Sequence, residues 1–493
     1  MSVQWIRFIY TIIYRLISSV FNKRNIITLP FNFFINFAPV LIWLNLFNYA
    51  KLIPNSIRPN IHSKLAFLSD AFLFGDWFHE LNFQYNSNKL TQLSFVTSST
   101  FFTFILVLFP IAIWFYIYHV RKVQFNLIEW YDHIFHFENP SNLKRLRLII
   151  FPYFIPFISF IALNIMHLFS EQSPQNFTTA KDLTAWTSYV ILHVTAPILT
   201  TVYLYVFHAP GMIKCFAFTL GLQNLCGIFT HLLIPTASPW FTHMYGINDT
   251  EHVSYDQEGF AAGLVRVDTH LGTHLNTNGF HKSPIVFGAV PSLHSAIAFQ
   301  CFLFIMTRAS TLKHRFVTTS TPTDQHSPSL SVSESTSSLS DDNEDATTPT
   351  FEMATFTKDL EDISTRTTTT ASSNYPLRYI QLYDYEISMS NNWKFKLFNK
   401  GLFPKILVSS YILLQWWATM YLDHHYRFDL FIGMLYSLVA FIVMNVLYIQ
   451  PHILKNWLDL RLGEKEDINN EARTYGMRVF QGTKFEWFFD PLS

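Results

Sequence analysis

Long apolar stretches separated by polar connections run through most of this 493-residue chain. A bilayer core about 30 Å thick needs roughly 20 mostly apolar residues per helix, and it admits only helices or closed barrels. Because these stretches are continuously apolar and do not alternate residue by residue, they indicate helices and not barrel strands. The pattern predicts an all-α polytopic membrane protein with about eight transmembrane helices, at 29–47, 100–119, 149–169, 185–207, 212–235, 286–306, 403–422 and 428–450.

The first residues are amphipathic. Trp5 and Leu16 share one helical face, whereas Arg7 and Arg15 lie on another, a pattern typical of a helix at the membrane interface. A cleaved signal peptide is the alternative, although Arg15 interrupts the apolar run and no small-residue cleavage site follows.

The segment 65–78 is apolar but contains Asp70 and Asp76. A bare carboxylate at the bilayer centre costs about 3 kcal/mol or more. We therefore interpret this segment as interfacial or re-entrant.

Basic residues are concentrated in alternate loops, before the first predicted span, between the second and third, and before the seventh. The positive-inside rule then puts both termini in the cytosol. Two sequons, at Asn176 and Asn248, fall in the opposite, luminal loops, where a glycan can be added. The predicted layout is a cytosolic interfacial helix (1–28), membrane helices with the luminal loop 236–285 (29–309), a largely disordered Ser- and Thr-rich cytosolic insertion (310–400), further membrane helices (401–450) and a cytosolic tail (451–493).

Composition narrows the function classes. Only 14% of residues are charged, against about 25% in soluble domains, and 34 basic residues balance 34 acidic ones. No net field attracts nucleic acid, so we expect no nucleic-acid partner. The three cysteines lie in apolar stretches and match neither a zinc site nor a disulfide scaffold.

Two short constellations lie at the luminal ends of predicted helices. Pro291–Ser295 reads Pro-Ser-Leu-His-Ser, and His424–Asp429 reads His-His-Tyr-Arg-Phe-Asp. His425 and Asp429 are four residues apart and share a helical face, so the carboxylate can fix the tautomer of a nucleophilic imidazole. His294 can protonate a leaving alkoxide and later deprotonate an attacking hydroxyl. One intramembrane histidine alone more often satisfies a polar neighbour; the two motifs together favour catalysis.

Pro-Ser-x-His followed by His-x-x-x-Asp resembles the lipid phosphatases and phosphotransferases related to type 2 phosphatidic acid phosphatases. Within that superfamily, several short stretches are similar to the fungal inositol phosphorylceramide synthases, and nearly the whole chain outside the low-complexity segment is similar to the fungal sphingolipid inositolphosphotransferases. The stretches that carry the resemblance are 221–224, 237–241, 262–276, 287–295, 415–430 and 470–491.

The resemblance implies a helical catalytic core, a luminal active site in the Golgi membrane and no cofactor. It makes His425 the nucleophile, Asp429 its orienting carboxylate and His294 the acid and base. The implied donor is phosphatidylinositol, the acceptor is mannosyl-inositol-phosphorylceramide, and the products are mannosyl-diinositol-phosphorylceramide and diacylglycerol. Whether a membrane subunit is required stays open.

The chain departs from the superfamily at its phosphate-binding motifs. Phosphatases carry Ser-Arg where this chain has Ala418-Thr419, and no Lys-x6-Arg-Pro motif precedes His294 in the luminal loop. We expect Arg266 and Arg427 to bind phosphate instead, because an arginine fork matches phosphate oxygens. Arg427 has the alternative of snorkelling to lipid headgroups. The stretch 51–59 fits Lys-x6-Arg-Pro literally but lies far too early in the chain.

Three other side chains, Ser292, His424 and Asp268, are expected to contact substrate. His424 has the alternative of helping to end the seventh span. His270 and His274 have the spacing of a helical metal pair, but Gly272 between them favours a headgroup-binding or structural role, and we expect no metal.

Three functions compete with the leading one. Inositol phosphorylceramide synthase uses the same donor with ceramide as the acceptor. A lipid phosphatase is disfavoured by the missing motifs. A transporter or scaffold needs charges along a path through the membrane, and the predicted spans hold very few.

Overall fold

The computed structural model describes residues 2–22, 24–74, 142–170, 177–308, 402–463, 465–483 and 485–489. These residues form helices and connections, with isolated β-bridges but no strand among them, so the predicted all-α class is confirmed. In chain order the helices are α1 Ser2–Phe21, α2 Thr28–Tyr49, α3 Leu65–Phe74, α4 Asn142–Phe169, α5 Thr179–Trp186, α6 His193–Phe207, α7 Met212–Leu233, α8 Pro239–Tyr245, α9 Leu264–Leu271, α10 Leu275–His281, α11 Leu293–Arg308, α12 Leu402–Tyr421, α13 Arg427–Met444, α14 Lys455–Leu462 and α15 Tyr475–Val479. The π-helical turns Thr187–Leu192 and Asn445–Leu454 join α5 to α6 and α13 to α14.

Helix α11 lies at the centre of a bundle and packs against α6, α7, α12 and α13. Its apolar side chains interlock with theirs, as where the ring of Phe304 meets Phe216 and Phe441 edge-on. Polar side chains inside the bundle bond to each other: Ser437 Oγ donates to Gln300 Oε1 at 2.8 Å. With no water nearby, such pairing avoids the cost of an unsatisfied polar group.

Small residues bring the helices of this bundle into backbone contact. A Cβ built on Gly433 of α13 would lie 2.2 Å from the carbonyl oxygen of Ser292, just before α11. A Cβ on Gly221 of α7 would lie 2.3 Å from the Cβ of Pro39 in α2. Close approach through small residues is the usual way in which membrane helices gain packing contacts.

Among the described residues, four helical stretches are long and apolar enough to cross a bilayer, namely Thr28–Leu52, Thr179–Phe207, Met212–Leu233 and Arg427–Arg461. They coincide with four predicted spans, and shorter apolar helices occur at Leu65–Phe74, Ile155–Phe169 and Leu293–Arg308. The molecule is thus a multi-pass helical membrane protein. The predicted span 100–119 and the predicted insertion 310–400 lie outside the described residues, and the total of eight spans stays a prediction.

One predicted span begins in the wrong place. The sixth was expected at 286–306, but α11 begins only at Leu293. The residues before it form an irregular approach containing Pro291, and Ser292 caps the helix through its side chain. Apolar character extended the predicted helix into this approach, which carries the first motif.

The two ends of the bundle are built differently. At one end, α8, α9 and α10 form a layer that contains the predicted luminal loop. Parallel bridges from Thr236 to His62 and to Gly288 tie this layer to the segment before α3 and to the approach to α11. At the other end, α1 packs on the C-terminal tail, where Tyr475 Oη donates to Leu16 O at 3.2 Å. The outer face of α1 remains open, with Ile9 52% exposed.

Candidate active site

The second motif lies in the turn between α12 and α13. Asp429 is fully buried in the first turn of α13, where the helix dipole favours a negative charge. Its Oδ2 accepts from the backbone N–H of Tyr426 at 3.0 Å and lies 3.4 Å from Nδ1 of His425. With Nδ1–H directed at this carboxylate, the lone pair of His425 is on Nε2, the atom free for attack.

The first motif is bonded directly to the second. The N–H of Ser292 donates to the carbonyl oxygen of Asp429 at 3.0 Å, and Ser295 Oγ donates to Leu430 O at 2.6 Å. Trp416 Nε1 in turn donates to Ser295 Oγ at 2.8 Å. Ser292 Oγ accepts from the N–H of Ser295 at 3.3 Å and is fully buried, so Ser292, expected to contact substrate, instead caps α11.

This bonding brings the two candidate catalytic histidines together. The ring centroids of His294 and His425 are 5.8 Å apart, with 57° between the ring planes. His231, which sequence reasoning missed, supports the turn of the first motif, since its Nε2 lies 2.8 Å from Pro291 O. Two imidazoles at this separation can contact the same phosphate group.

His294 belongs to a column of five stacked rings, and three of the other four were not singled out from the sequence. The column runs Phe280, His424, Tyr189, His294, His193, with successive centroids 4.8, 4.9, 4.1 and 4.2 Å apart. Tyr189 comes from the π-turn and His193 from the first residue of α6. The four-residue spacing of Tyr189 and His193 is the only local signal, and it is common in any helix.

His424 is a neutral part of this column. Burial lowers its pKa to about 3, and the neighbouring His425 also disfavours a positive charge. Its ring is 4% exposed, and its Nε2 has no hydrogen-bond partner among the described residues. His424 therefore forms a wall between Phe280 and Tyr189 and leaves one polar atom for a ligand.

Arg427, expected to bind phosphate, is held by a carboxylate from α3. Its Nε and Nη2 donate to Asp70 Oδ2 at 3.2 and 2.7 Å, and its Nη1 donates to Asn164 at 3.1 Å. Asp70 also accepts from the N–H of Phe428 at 2.9 Å, so it caps α13. Asp70 is one of the two carboxylates that made 65–78 an improbable span, and its charge is buried against the opposite charge of Arg427. The guanidinium of Arg427 therefore does not snorkel outward.

Arg266, the other expected phosphate ligand, is only partly satisfied. Its Nε donates to Asp182 Oδ1 at 2.9 Å, and its guanidinium lies 3.9 Å from the centre of the Phe177 ring. Asp182 also lies 3.1 Å from His270 Nε2 and accepts from Tyr421 Oη at 3.1 Å. Nη2 of Arg266 is buried without a hydrogen-bond partner in the part of the chain that the structure describes.

Asp268, expected to contact substrate, holds together the layer formed by α8, α9 and α10. Its carboxylate accepts from Thr273, Asn276 and Thr277, including the backbone N–H of Thr277 at 2.9 Å. Burial alone raises the pKa of this group, but these hydrogen bonds outweigh it and lower the pKa to about 2. Both carboxylate oxygens of Asp268 accept hydrogen bonds, so this side chain links α9 to α10.

His270 and His274 do not share a helix. Helix α9 ends at Leu271, Gly272 takes a left-handed conformation at φ +63°, and His274 lies between two helices. Within the described ranges, no group of three or more His, Cys, Asp or Glu side chains is arranged to hold a metal ion.

The literal Lys-x6-Arg-Pro stretch lies beside the connection between α8 and α9. Arg58 donates to Ala50 O and Ile53 O, each at 3.0 Å, and its guanidinium lies 4.9 Å from the Tyr255 ring centre. These bonds fold the guanidinium onto its own loop.

Similarity to known proteins identifies the family of this chain. The model of the PAP2 superfamily matches residues 160–322, which include the first motif. Inositolphosphotransferase 1 of Saccharomyces cerevisiae is 53% identical over an alignment of 509 positions, which covers 96% of this chain and 96% of that protein. No solved structure matches the chain.

Shorter matches point the same way. The inositol phosphorylceramide synthase catalytic subunit aur1 of Schizosaccharomyces pombe is 39% identical over 124 residues, 25% of this chain and 29% of that one. The inositol phosphorylceramide synthase of Candida albicans is 36% identical over 132 residues, 26% of this chain and 27% of that one. The near full-length identity, rather than these partial matches, decides the assignment: the chain belongs to the family of the yeast inositolphosphotransferase, within the PAP2 superfamily.

Proposed function

We propose that this protein transfers inositol phosphate from phosphatidylinositol to mannosyl-inositol-phosphorylceramide through a phosphohistidine. The observation that carries the proposal is the pairing of His294 with His425, backed by Asp429, in a chain 53% identical to a protein named inositolphosphotransferase. That name supports inositol phosphate as the transferred group. The acceptor is argued from the polar luminal layer over the site.

In the first step, Nε2 of His425 attacks the phosphorus of phosphatidylinositol. The bond from phosphorus to the glycerol oxygen breaks, and protonated His294 gives its proton to that oxygen, releasing diacylglycerol. Asp429 stabilises the positive charge that develops on His425. Inositol phosphate is then held through a P–N bond.

In the second step, neutral His294 takes the proton of an acceptor hydroxyl. The acceptor oxygen attacks phosphorus, the P–N bond breaks, and the electron pair returns to His425. Both catalytic groups are then back in their starting protonation states. The hydroxyl donor is a sugar of the acceptor headgroup, in reach of the layer formed by α9 and α10.

Burial of the site favours transfer over hydrolysis. His425 is 8% exposed, His424 4% and Asp429 0%. A phosphohistidine in such surroundings meets few water molecules, so a lipid hydroxyl can compete with them.

The proposed setting is the Golgi membrane, with the site facing the lumen and both termini in the cytosol. The distribution of basic residues supports this orientation. The loop 236–285 is then luminal, and the insertion 310–400 and the tail 451–493 are cytosolic. Protease added to sealed vesicles is expected to cut within 318–374 and to spare 236–285.

The function is tested with purified protein, labelled phosphatidylinositol and two acceptors supplied separately. Label is expected to pass to the mannosylated lipid, with little transfer to ceramide, because polar groups built to bond sugar hydroxyls would be left unpaired by ceramide. A preference for ceramide would instead support an inositol phosphorylceramide synthase, and release of free inositol phosphate alone would support a phosphatase. Absence of turnover with any acceptor in a well-folded sample would favour a transporter or scaffold.

His425→Ala and His294→Ala are each expected to lower transfer about 100- to 10,000-fold or more, while the protein stays monodisperse in detergent. Combining them is expected to cost little more, because residues that act as one unit are not additive. Near-normal turnover in a folded His425→Ala variant would contradict the mechanism.

A further inference from the structure

The column of stacked rings does more than fill space, because two of its members restrain the ring of His294. Tyr189 lies nearly parallel to His294, at 4.1 Å and 20°, and His193 lies at 4.2 Å and 36°. At such short centroid distances each ring must lie over a face of the imidazole, since rings side by side in one plane cannot approach so closely. Two rings over the same face would overlap each other. Tyr189 and His193 therefore cover opposite faces of His294.

An imidazole covered on both faces can use only its edge for chemistry. That edge carries both nitrogens, and the ring of His425 is the catalytic neighbour, 5.8 Å away. Rotation of the His294 ring out of its plane would require Tyr189 or His193 to move first. Its proton-transfer direction is thus set before substrate arrives.

Tyr189 is itself fixed by its surroundings. It is 7% exposed and has His424 on its other face, at 4.9 Å and 21°. The residue before it anchors the π-turn, because Ser188 Oγ donates to Gln415 Oε1 of α12 at 2.9 Å inside the bundle. Single π-turns inside longer helices are often found at functional sites, where they change which face a side chain occupies.

We propose that Tyr189 and His193 are positioning residues. They hold His294 so that the edge with its nitrogens faces the oxygens of the reacting phosphate group, and the Tyr189 ring also keeps water from the phosphohistidine. This inference rests on the proposed transfer function and assigns roles to two side chains outside both catalytic motifs. The chemistry required of each is a flat ring. Neither the hydroxyl of Tyr189 nor a proton on His193 takes part.

Misplacement of a catalytic group by about 1 Å can cost about 100-fold in rate. Loss of the Tyr189 ring frees one face of His294 and one face of His424, and it leaves a gap beside the His424 ring, whose Nε2 has no hydrogen-bond partner among the described residues. Such a gap accommodates water, which needs both room and polar partners. Two effects follow together: slower transfer and a larger fraction of inositol phosphate lost to water.

The first test compares Tyr189→Phe with Tyr189→Leu in the purified full-length protein. Tyr189→Phe keeps the ring and is expected to retain kcat within about threefold. Tyr189→Leu keeps apolar volume but loses the flat face, and kcat is expected to fall about 10- to 100-fold. KM for phosphatidylinositol is expected to change less than about threefold, and the ratio of hydrolysis to transfer is expected to rise.

The second test compares His193→Phe with His193→Ala. The phenyl ring is expected to preserve kcat within about threefold, and the alanine to lower it about 10-fold. Ile191→Ala is the matched control, since Ile191 lies in the same π-turn but is 40% exposed. It is expected to behave as wild type, and thermal unfolding in detergent checks the fold of each variant.

The proposal is overturned if Tyr189→Leu and His193→Ala turn over like wild type, or if Tyr189→Phe and His193→Phe are as slow as the non-aromatic variants. A rise in KM with unchanged kcat and an unchanged hydrolysis ratio would also overturn it. Failure of the wild-type protein to transfer inositol phosphate would contradict the proposed function instead, and so the two failures are distinguishable.

Discussion

The surroundings of Arg427 and Arg266 differ in one informative way. Both arginines were expected to bind phosphate, and both lie next to a buried carboxylate. Arg427 uses Nε, Nη1 and Nη2 on Asp70 and Asn164. Arg266 uses Nε on Asp182, presents its flat face to Phe177, and keeps Nη2 without a partner among the described residues.

This difference separates a structural arginine from one that can still bind a ligand. A saturated guanidinium gains nothing from phosphate unless it first breaks a buried ion pair, a loss of several kcal/mol. A guanidinium with a free, desolvated N–H gains a charge-assisted hydrogen bond at once. Arg266 also lies close to the second motif, because the N–H of Gly263, before α9, donates to Leu422 O at 3.0 Å. We infer that Arg266 contacts phosphate and that Arg427 stabilises the structure of the site through its bonds to Asp70 and Asn164.

The largest effect is expected from breaking the Arg427 pair. Arg427→Met leaves Asp70 buried without its partner, which costs about 3–5 kcal/mol of folding stability. The double variant Asp70→Met with Arg427→Met removes both charges and is expected to recover most of this loss. Thermal unfolding in detergent measures both. Equal instability of single and double variants would show that the arginine has a role other than pairing.

The Arg266 series is expected to change rate more than stability. Arg266→Ala is expected to lower transfer about 100-fold, and Arg266→Lys less, because a lysine keeps the charge but loses the planar fork. Labelled transfer in purified samples measures the rate, with unfolding temperature as the control. If Arg266→Ala unfolds but Arg427→Met stays stable and inactive, the two roles must be exchanged.

A smaller effect is expected from the donors that hold Asp182. Tyr421→Phe removes one of them and leaves Arg266 bonded, so transfer is expected to fall only a few-fold, in line with the loss of one hydrogen bond of about 1 kcal/mol. Trp417→Phe is the control, because it changes the ring stacked on Tyr421 without touching the carboxylate. A loss as large as that of Arg266→Ala would mean that Asp182 itself reaches substrate.

The smallest effect concerns pH. The pKa of Asp268 is lowered from 3.8 to about 2, so its stabilising contribution is complete above about pH 4 and is lost only as pH falls towards 2. Protection of the α8–α10 layer from hydrogen exchange is expected to stay constant between pH 7.5 and 5. Asp268→Asn is expected to lose that protection at neutral pH. A wild-type transition between pH 7.5 and 5 would point to another group in the layer.

The sequence was informative where signals are local. Apolar runs predicted helices in the described part of the chain, and the four-residue spacing predicted the contact between His425 and Asp429. The predicted shared helical face was wrong, because α13 begins only at Arg427 and His425 lies in the turn before it. It was uninformative where the partner is remote. Asp70 pairs with a residue 357 positions away, and Asp182 with one 84 positions away. No sequence pattern near Asp70 or Asp182 predicts which arginine pairs with it.

The ring column shows the same limit in another form. Tyr189 lies in the π-helical turn Thr187–Leu192 and stacks on His294. Periodicity of 3.6 residues does not predict such a turn, and so the residue was indistinguishable from other apolar positions of its span. Ser292 and Asp268 were expected to contact substrate because they lie in or near the motifs, whereas the structure shows each of them hydrogen-bonded within the protein.

The most direct test of the account is to look for the phosphohistidine itself. Purified protein is mixed with phosphatidylinositol radiolabelled at phosphorus, without acceptor, and quenched in alkali, where a P–N bond survives and most ester links do not. A phosphohistidine mechanism predicts acid-labile label on the peptide that contains His425. The label is expected to be absent in His425→Ala and to be lost from the wild-type protein when mannosyl-inositol-phosphorylceramide is added. Label on another residue, or full transfer activity in His425→Ala, would contradict it.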